Sequence, residues 1–195
     1  SNNVALGNSA LAANTTASQN VALGYQASYA SNSGQNVSIG YQSMLDTTSG
    51  GLNVAMGYRS MYENTTGASN VALGHSALLN NTTASNNTAV GYQAGYSNTT
   101  GSNVTAVGRW ALKANTTGND NTAVGLNALL SNTTGGSNIA VGQQALQANT
   151  TASSNTAVGY QSLYTNTTGT RLVAVGQAAL YANTTGNYSV AVGQA

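Results

Sequence analysis

The chain has 195 residues and a net charge of +1, with Arg59, Arg109, Lys113 and Arg171 set against Asp46, Glu63 and Asp120. So neutral a composition excludes a basic stripe for nucleic acid or anionic lipid. It contains no cysteine and no proline, which excludes disulfides and thiolate metal sites and leaves every backbone amide able to join a ladder. No apolar run approaches the ~20 residues of a membrane-spanning helix, and no stretch reads as a signal peptide.

An aliphatic residue followed by glycine recurs along the whole chain, at Gly7, Gly24, Gly40, Gly57, Gly74, Gly91, Gly108, Gly125, Gly142, Gly159, Gly176 and Gly193. The spacing is 17 residues except between Gly24 and Gly40, where it is 16. Leu, Ile and Val are scarce, as in disordered chains, but those carry high net charge and no positional order. A fixed period instead means one small unit stacked on copies of itself. Residues 1–195 therefore read as a single continuous array. The chain starts and stops in mid-repeat without a polar cap, so an excerpt of a longer fibre is expected.

Each repeat is numbered here from its marker glycine. Position −3 is β-branched in every copy, from Val4 to Val190, and includes Thr88, Thr105, Thr122 and Thr156. Position −1 is always aliphatic, and Ala lies between them except at Ser38. Asn precedes this triplet in most copies, as at Asn70 and Asn87. Alternation with β-branched residues predicts a short two-faced strand. One face carries Val/Thr and Leu/Val, the other Asn and Ala. The glycine ends the strand, and its recurrence points to a positive φ or to a backbone passing too close for a Cβ.

After the glycine, position +3 is Ala or Ser and position +4 is usually Leu or Met, as in Gly159-Tyr160-Gln161-Ser162-Leu163. The expectation is a second short strand or extended arm that returns across the coil, since the segment is too short for a stable helix. Asn-Thr-Thr then closes the coil as a turn, at Asn14, Asn64, Asn81, Asn98, Asn115, Asn132, Asn149, Asn166 and Asn183, with Asp46-Thr47-Thr48 as a variant. The missing residue of the short repeat falls in this turn.

The fold class that follows is all-β: a parallel β-solenoid with one repeat per coil and about twelve coils. At about 4.8 Å per strand the array would rise about 55 Å. Like side chains form ladders, and an Asn ladder can hydrogen-bond along the axis. The expected core is the Val/Thr and Leu/Val strand face with the Leu/Met after the glycine. That core is thin, so self-association is expected, with the Ala/Asn face or the Tyr column at the contact and a three-fold bundle as the preferred form.

The segments Asn-Val-Ala-Leu-Gly (20–24, 70–74) and Asn-Thr-Ala-Val-Gly-Tyr-Gln (87–93, 155–161) resemble the head repeats of trimeric autotransporter adhesins, whose motif is Asn-Ser-Val-Ala-Ile-Gly followed by Ser or Ala; similar repeats occur in phage tail fibres. The resemblance implies a left-handed parallel β-roll in a homotrimer, although parallel β crossovers are otherwise nearly always right-handed. Residues 1–195 depart from the family in their longer repeat, and none of them reads as a coiled-coil stalk, neck or membrane anchor.

Residues that would support catalysis are sparse. His75, the sole histidine, occupies a slot that holds Tyr in other repeats, and Asp46 and Glu63 sit one repeat apart in the turn region without a nucleophile, base and orienter set. Two carboxylates also make a poor Ca²⁺ cage. No enzyme activity, cofactor or metal is expected. Tyr92, Tyr96, Tyr160 and Tyr164 belong to tyrosine columns that offer an apolar body and a polar tip, either to a sugar or protein partner or to a subunit contact. Arg109 and Trp110 interrupt the column and mark either a local hot spot or a one-off replacement. Each Asn-Thr-Thr is also an N-glycosylation sequon on an expected surface turn. Ranked threonines leave an ice-binding reading open, against which stands the opposite facing of adjacent Thr residues in a strand.

The expected function is a non-enzymatic adhesive and structural fibre segment, extracellular on a cell or virion surface, self-associated as a homotrimer and presenting repeated weak contacts to a host-surface glycan or matrix protein. The alternative is a self-assembling extracellular filament whose role is the scaffold itself.

Overall fold

The computed structural model describes residues 2–194. Twelve three-residue strands follow the sequence markers: β1 (Val4–Leu6), β2 (Val21–Leu23), β3 (Val37–Ile39), β4 (Val54–Met56), β5 (Val71–Leu73), β6 (Thr88–Val90), β7 (Thr105–Val107), β8 (Thr122–Val124), β9 (Ile139–Val141), β10 (Thr156–Val158), β11 (Val173–Val175) and β12 (Val190–Val192). They form one sheet in chain order, every pairing parallel. Each strand lies on the same triplet one repeat away, as in Thr105↔Thr122, Ala106↔Ala123 and Val107↔Val124. The architecture is a parallel β-solenoid with one repeat per coil, and no helix is present among the described residues.

The marker glycines have φ between 129° and 141°. A Cβ on Gly108 would lie 2.6 Å from the carbonyl oxygen of Gly125, its counterpart one coil on. Both expected reasons for glycine therefore act together: a backbone conformation closed to other residues, and a neighbour too close for any side chain.

The segment after the glycine differs from the expected second strand. It is an arc of consecutive turns. In the fifth coil Ala77 N donates to Gly74 O at 3.3 Å and Asn81 N to Leu78 O at 3.1 Å. Positions +2 and +4 adopt left-handed φ, as in Ser76 (55°) and Leu78 (49°), which breaks a strand but suits these turns. The arc still bonds coil to coil, through Leu78 N to Ala94 O at 3.0 Å and Gln93 N to His75 O at 2.9 Å. Parallel pairing thus continues around the coil without a second regular strand.

The expected inside and outside of the strand are reversed. The central Ala residues, such as Ala89, Ala106 and Ala123, are fully buried, while Val/Thr at −3 and Leu/Val at −1 face outward and are half-buried or exposed. Width explains the reversal. The arc turns its Leu/Met column inward (Met61, Leu78, Leu112, Leu129, Leu146, Leu163), and only a methyl fits opposite it. The Ala and Asn side chains therefore cannot supply a contact between subunits.

Two inward Asn columns complete the core. The first precedes the strand: Asn70 N donates to Asn53 Oδ1 at 2.9 Å, and Asn70 Nδ2 to Ala84 O at 2.9 Å. The second is the Asn of Asn-Thr-Thr: Asn81 Nδ2 donates to Asn64 Oδ1 at 2.8 Å and to Ala84 O at 3.1 Å. Buried amides are tolerated because their side chains are bonded at both ends, with Asn20, next to the short repeat, the exception: its Oδ1 accepts from Asn36 N but its Nδ2 has no partner. Val104 and Leu172 replace Asn in the first column; each still donates its amide to the preceding Asn but has no side-chain oxygen to offer the next coil. In the second column the slot of the variant turn is filled by Thr47, not Asp46, and that of the short repeat by Ser31; both are buried. Asp46 sits one residue earlier, on the outside.

One substitution pair and one single substitution test this packing. Ala106→Leu is expected to cost about 1–3 kcal/mol by overpacking, whereas Thr105→Val on the outer face stays within about 0.5 kcal/mol. Gly108→Ala is expected to cost at least about 2 kcal/mol from strain and collision together. Urea unfolding followed by circular dichroism measures both.

Candidate functional site

Two surfaces stand out. The first is the outer face of the sheet, where positions −3 and −1 form two parallel columns of Val, Thr, Ile, Leu and Met without a charged residue. Ile139 is 43% and Val141 37% exposed, well short of the burial expected of aliphatic side chains at the centre of a twelve-stranded sheet. A contiguous apolar strip of this kind is a candidate interaction surface. Sequence reasoning placed these residues in the core and so missed it; the signal was present in the Thr at −3 of four repeats, a residue poorly suited to a dry interior.

The second is the corner just after the glycine. Tyr25, Tyr41, Tyr58, His75 and Tyr92 stack in a continuous ladder with centroids 4.9–5.2 Å apart. Such stacking follows from identical backbone positions repeated at strand spacing. The ring faces inside the ladder cover one another, so the edges and hydroxyls are what a partner meets. At the seventh coil Arg109 takes the Tyr slot and Trp110, one residue on, reaches back to meet Tyr92 edge-on at 6.4 Å and 60°. Trp110 Nε1 donates to Gln93 Oε1 at 3.0 Å. The Arg109 guanidinium lies 3.9 Å, and the Lys113 ammonium 5.2 Å, from the indole centre. Tyr92, Arg109 and Trp110 are thus brought together, with Gln93 and Lys113 as members that sequence reasoning did not single out. Tyr96 shares the +5 column with Lys113 one coil away. Tyr160 and Tyr164 lie three coils further along; Tyr160 is exposed between Gln143 and Gln177 in its column, and Tyr164 stacks on Tyr181 at 5.2 Å.

The sequon asparagines are not on the surface as expected. Asn64, Asn81, Asn98, Asn115, Asn132, Asn149 and Asn166 are fully buried, and Nδ2, the atom a glycan would take, is spent on the ladder. Asn14 and Asn183, in the outermost complete turns, are half-buried, and their Nδ2 atoms donate to Ala17 O and Gly186 O. The first Thr of the turn donates to the next coil, as in Thr82 Oγ1 to Thr99 O at 3.1 Å, which leaves the second Thr as the exposed member of the tripeptide. Asp46 and Glu63 occupy the same column in adjacent coils, and partial burial raises the Asp46 pKa. Among the described residues no group of three His, Asp, Glu or Cys side chains assembles.

Comparison with family models, with curated proteins and with solved structures finds no match to this chain.

Two outcomes follow. Folded protein from a glycosylating host is expected to carry unmodified Asn81, Asn98, Asn115, Asn132 and Asn149 by peptide mass spectrometry. Asn98→Ala leaves Asn115 Nδ2 without one acceptor and is expected to cost about 1–3 kcal/mol in urea unfolding, against less than about 0.5 kcal/mol for Thr100→Ala.

Proposed function

We propose that this chain is a non-enzymatic, extracellular adhesive rod that associates as a homotrimer through the outer face of its sheet and displays the aromatic corner to a host-surface glycan or matrix protein. The observation that carries this reading is the uncharged apolar strip along all twelve strands. The coil's own Leu/Ala interior is narrow, so covering that strip would add to stability at about 25 cal/mol per Å². The strip is continuous along the sheet, and its residues repeat in register, which suits a partner that is another copy of the same array. The resemblance of the Asn-Val-Ala-Leu-Gly segments to adhesin head repeats and phage-fibre repeats supports the same arrangement. Identical corners on three chains would multiply weak contacts into useful avidity.

Sedimentation velocity tests the assembly. The intact chain is expected to run as a discrete trimer, and Val124→Glu with Val141→Glu to release monomers whose circular dichroism is unchanged. Thr134→Glu on the exposed turn column is expected to leave the trimer intact. A wild-type chain that stays monomeric at high micromolar concentration would overturn the proposal. End-to-end polymers would replace it with the scaffolding-filament reading.

A further inference from the structure

The seventh coil concentrates chemistry that the other coils lack. It holds two of the four cations and the only tryptophan of the chain. Arg109 and Lys113 both centre on the Trp110 indole. Among the described residues neither forms a side-chain hydrogen bond or an ion pair, and Asp120, the acid nearest in sequence, accepts instead from Asn103 Nδ2 at 3.0 Å. The other cations are engaged: Arg59 Nε donates to Gln42 Oε1 at 3.1 Å and its guanidinium lies 4.3 Å from the Tyr62 ring centre, while Arg171 bonds the Tyr188 hydroxyl. Two like charges held at one ring repel each other, and an anion between them removes that cost.

Beside Lys113 lies a hollow of about 390 Å³ lined by Ser97, Lys113, Ala114, Leu130 and Ser131. That volume is at the low end of the ~300–1,000 Å³ of small-ligand sites. The hollow is open to solvent, and its lining combines the apolar Ala114 and Leu130 with the hydroxyl-bearing Ser97 and Ser131 and with Lys113.

We infer that this corner binds an acidic saccharide, with Arg109 and Lys113 on its carboxylate or sulfate and the hollow against its ring. A saccharide fits better than a polyanion, because two cations cannot neutralise a run of phosphates. It fits better than an acidic peptide, because a lining that mixes Ala114 and Leu130 with the two serine hydroxyls matches the C–H face and hydroxyl rim of a pyranose. The inference rests on the adhesive reading above and names its ligand class.

The experiment is calorimetric titration of the intact rod with four probes. These are a sulfated uronate disaccharide, the same disaccharide without sulfate, its carboxyl-reduced neutral analogue, and an Asp/Glu peptide of equal charge. One or both acidic disaccharides are expected to bind saturably, and their ratio assigns the anion as sulfate or carboxylate. Arg109→Gln with Lys113→Gln is expected to weaken binding at least about tenfold, with binding falling as salt rises. Arg59→Gln is expected to bind as wild type. Equal binding of the neutral analogue, equal or tighter binding of the peptide, an unaffected double variant, or no binding of any probe would each overturn the inference. Sedimentation of the same double variant separates the two proposals. A trimer with this site disproved leaves the adhesive rod standing, and a monomeric wild type removes the rod whatever the titration gives.

Discussion

The close stacking of marker glycines sets the geometry of everything else. On every marker glycine but the last, Gly193, a Cβ would collide with the carbonyl of the next, and all hold a φ that only glycine adopts readily. That contact fixes the register of successive coils to the residue. Once the register is fixed, every column follows: Ala on Ala, Asn on Asn, Tyr on Tyr. The fold is then a one-dimensional problem in which each coil is judged against its neighbour alone.

Register was legible in the sequence because it is periodic, and periodicity survives ignorance of packing. The strand triplets lie where the aliphatic-Gly markers put them. Which face of the strand points inward was not legible from local pattern. Val-Ala-Val reads as apolar out of a conventional sheet, and a conventional sheet would bury the larger residues. The deciding fact is the depth of the coil. Leu112 and Leu129 reach across it from the arc, so the strand can afford only Ala106 and Ala123. Depth is a property of the closed coil, and no window of a few residues contains it.

The same limit explains the turns. Asn-Thr-Thr has the composition of an exposed loop, and in most folds its Asn would cap a turn in water. Here the repeat places one Asn directly on another, and the amide both donates and accepts along the axis at that spacing. Counting from the glycine, instead of matching the tripeptide, identifies Thr47 as the member of the column and sets Asp46 outside. The functional surfaces divide likewise. The tyrosine columns were visible as a list of residues, but the convergence of Arg109 and Lys113 on one indole needed the coil, because those residues are four apart in a segment that is not helical.

The left-handed residues of the arc bear on how such a rod comes into being. Leu78, Leu112, Leu129 and their counterparts hold φ near 50°, where a bulky side chain is disfavoured by roughly 1–2 kcal/mol. A lone coil would have several such residues to hold and no neighbour to receive its amides. An existing coil presents a row of acceptors and a pre-shaped Leu/Ala floor, so the next segment is templated as it docks. Assembly of the chain is therefore a zipper with a difficult first tooth: slow to start, fast to extend, and able to lengthen by adding repeats without any new design.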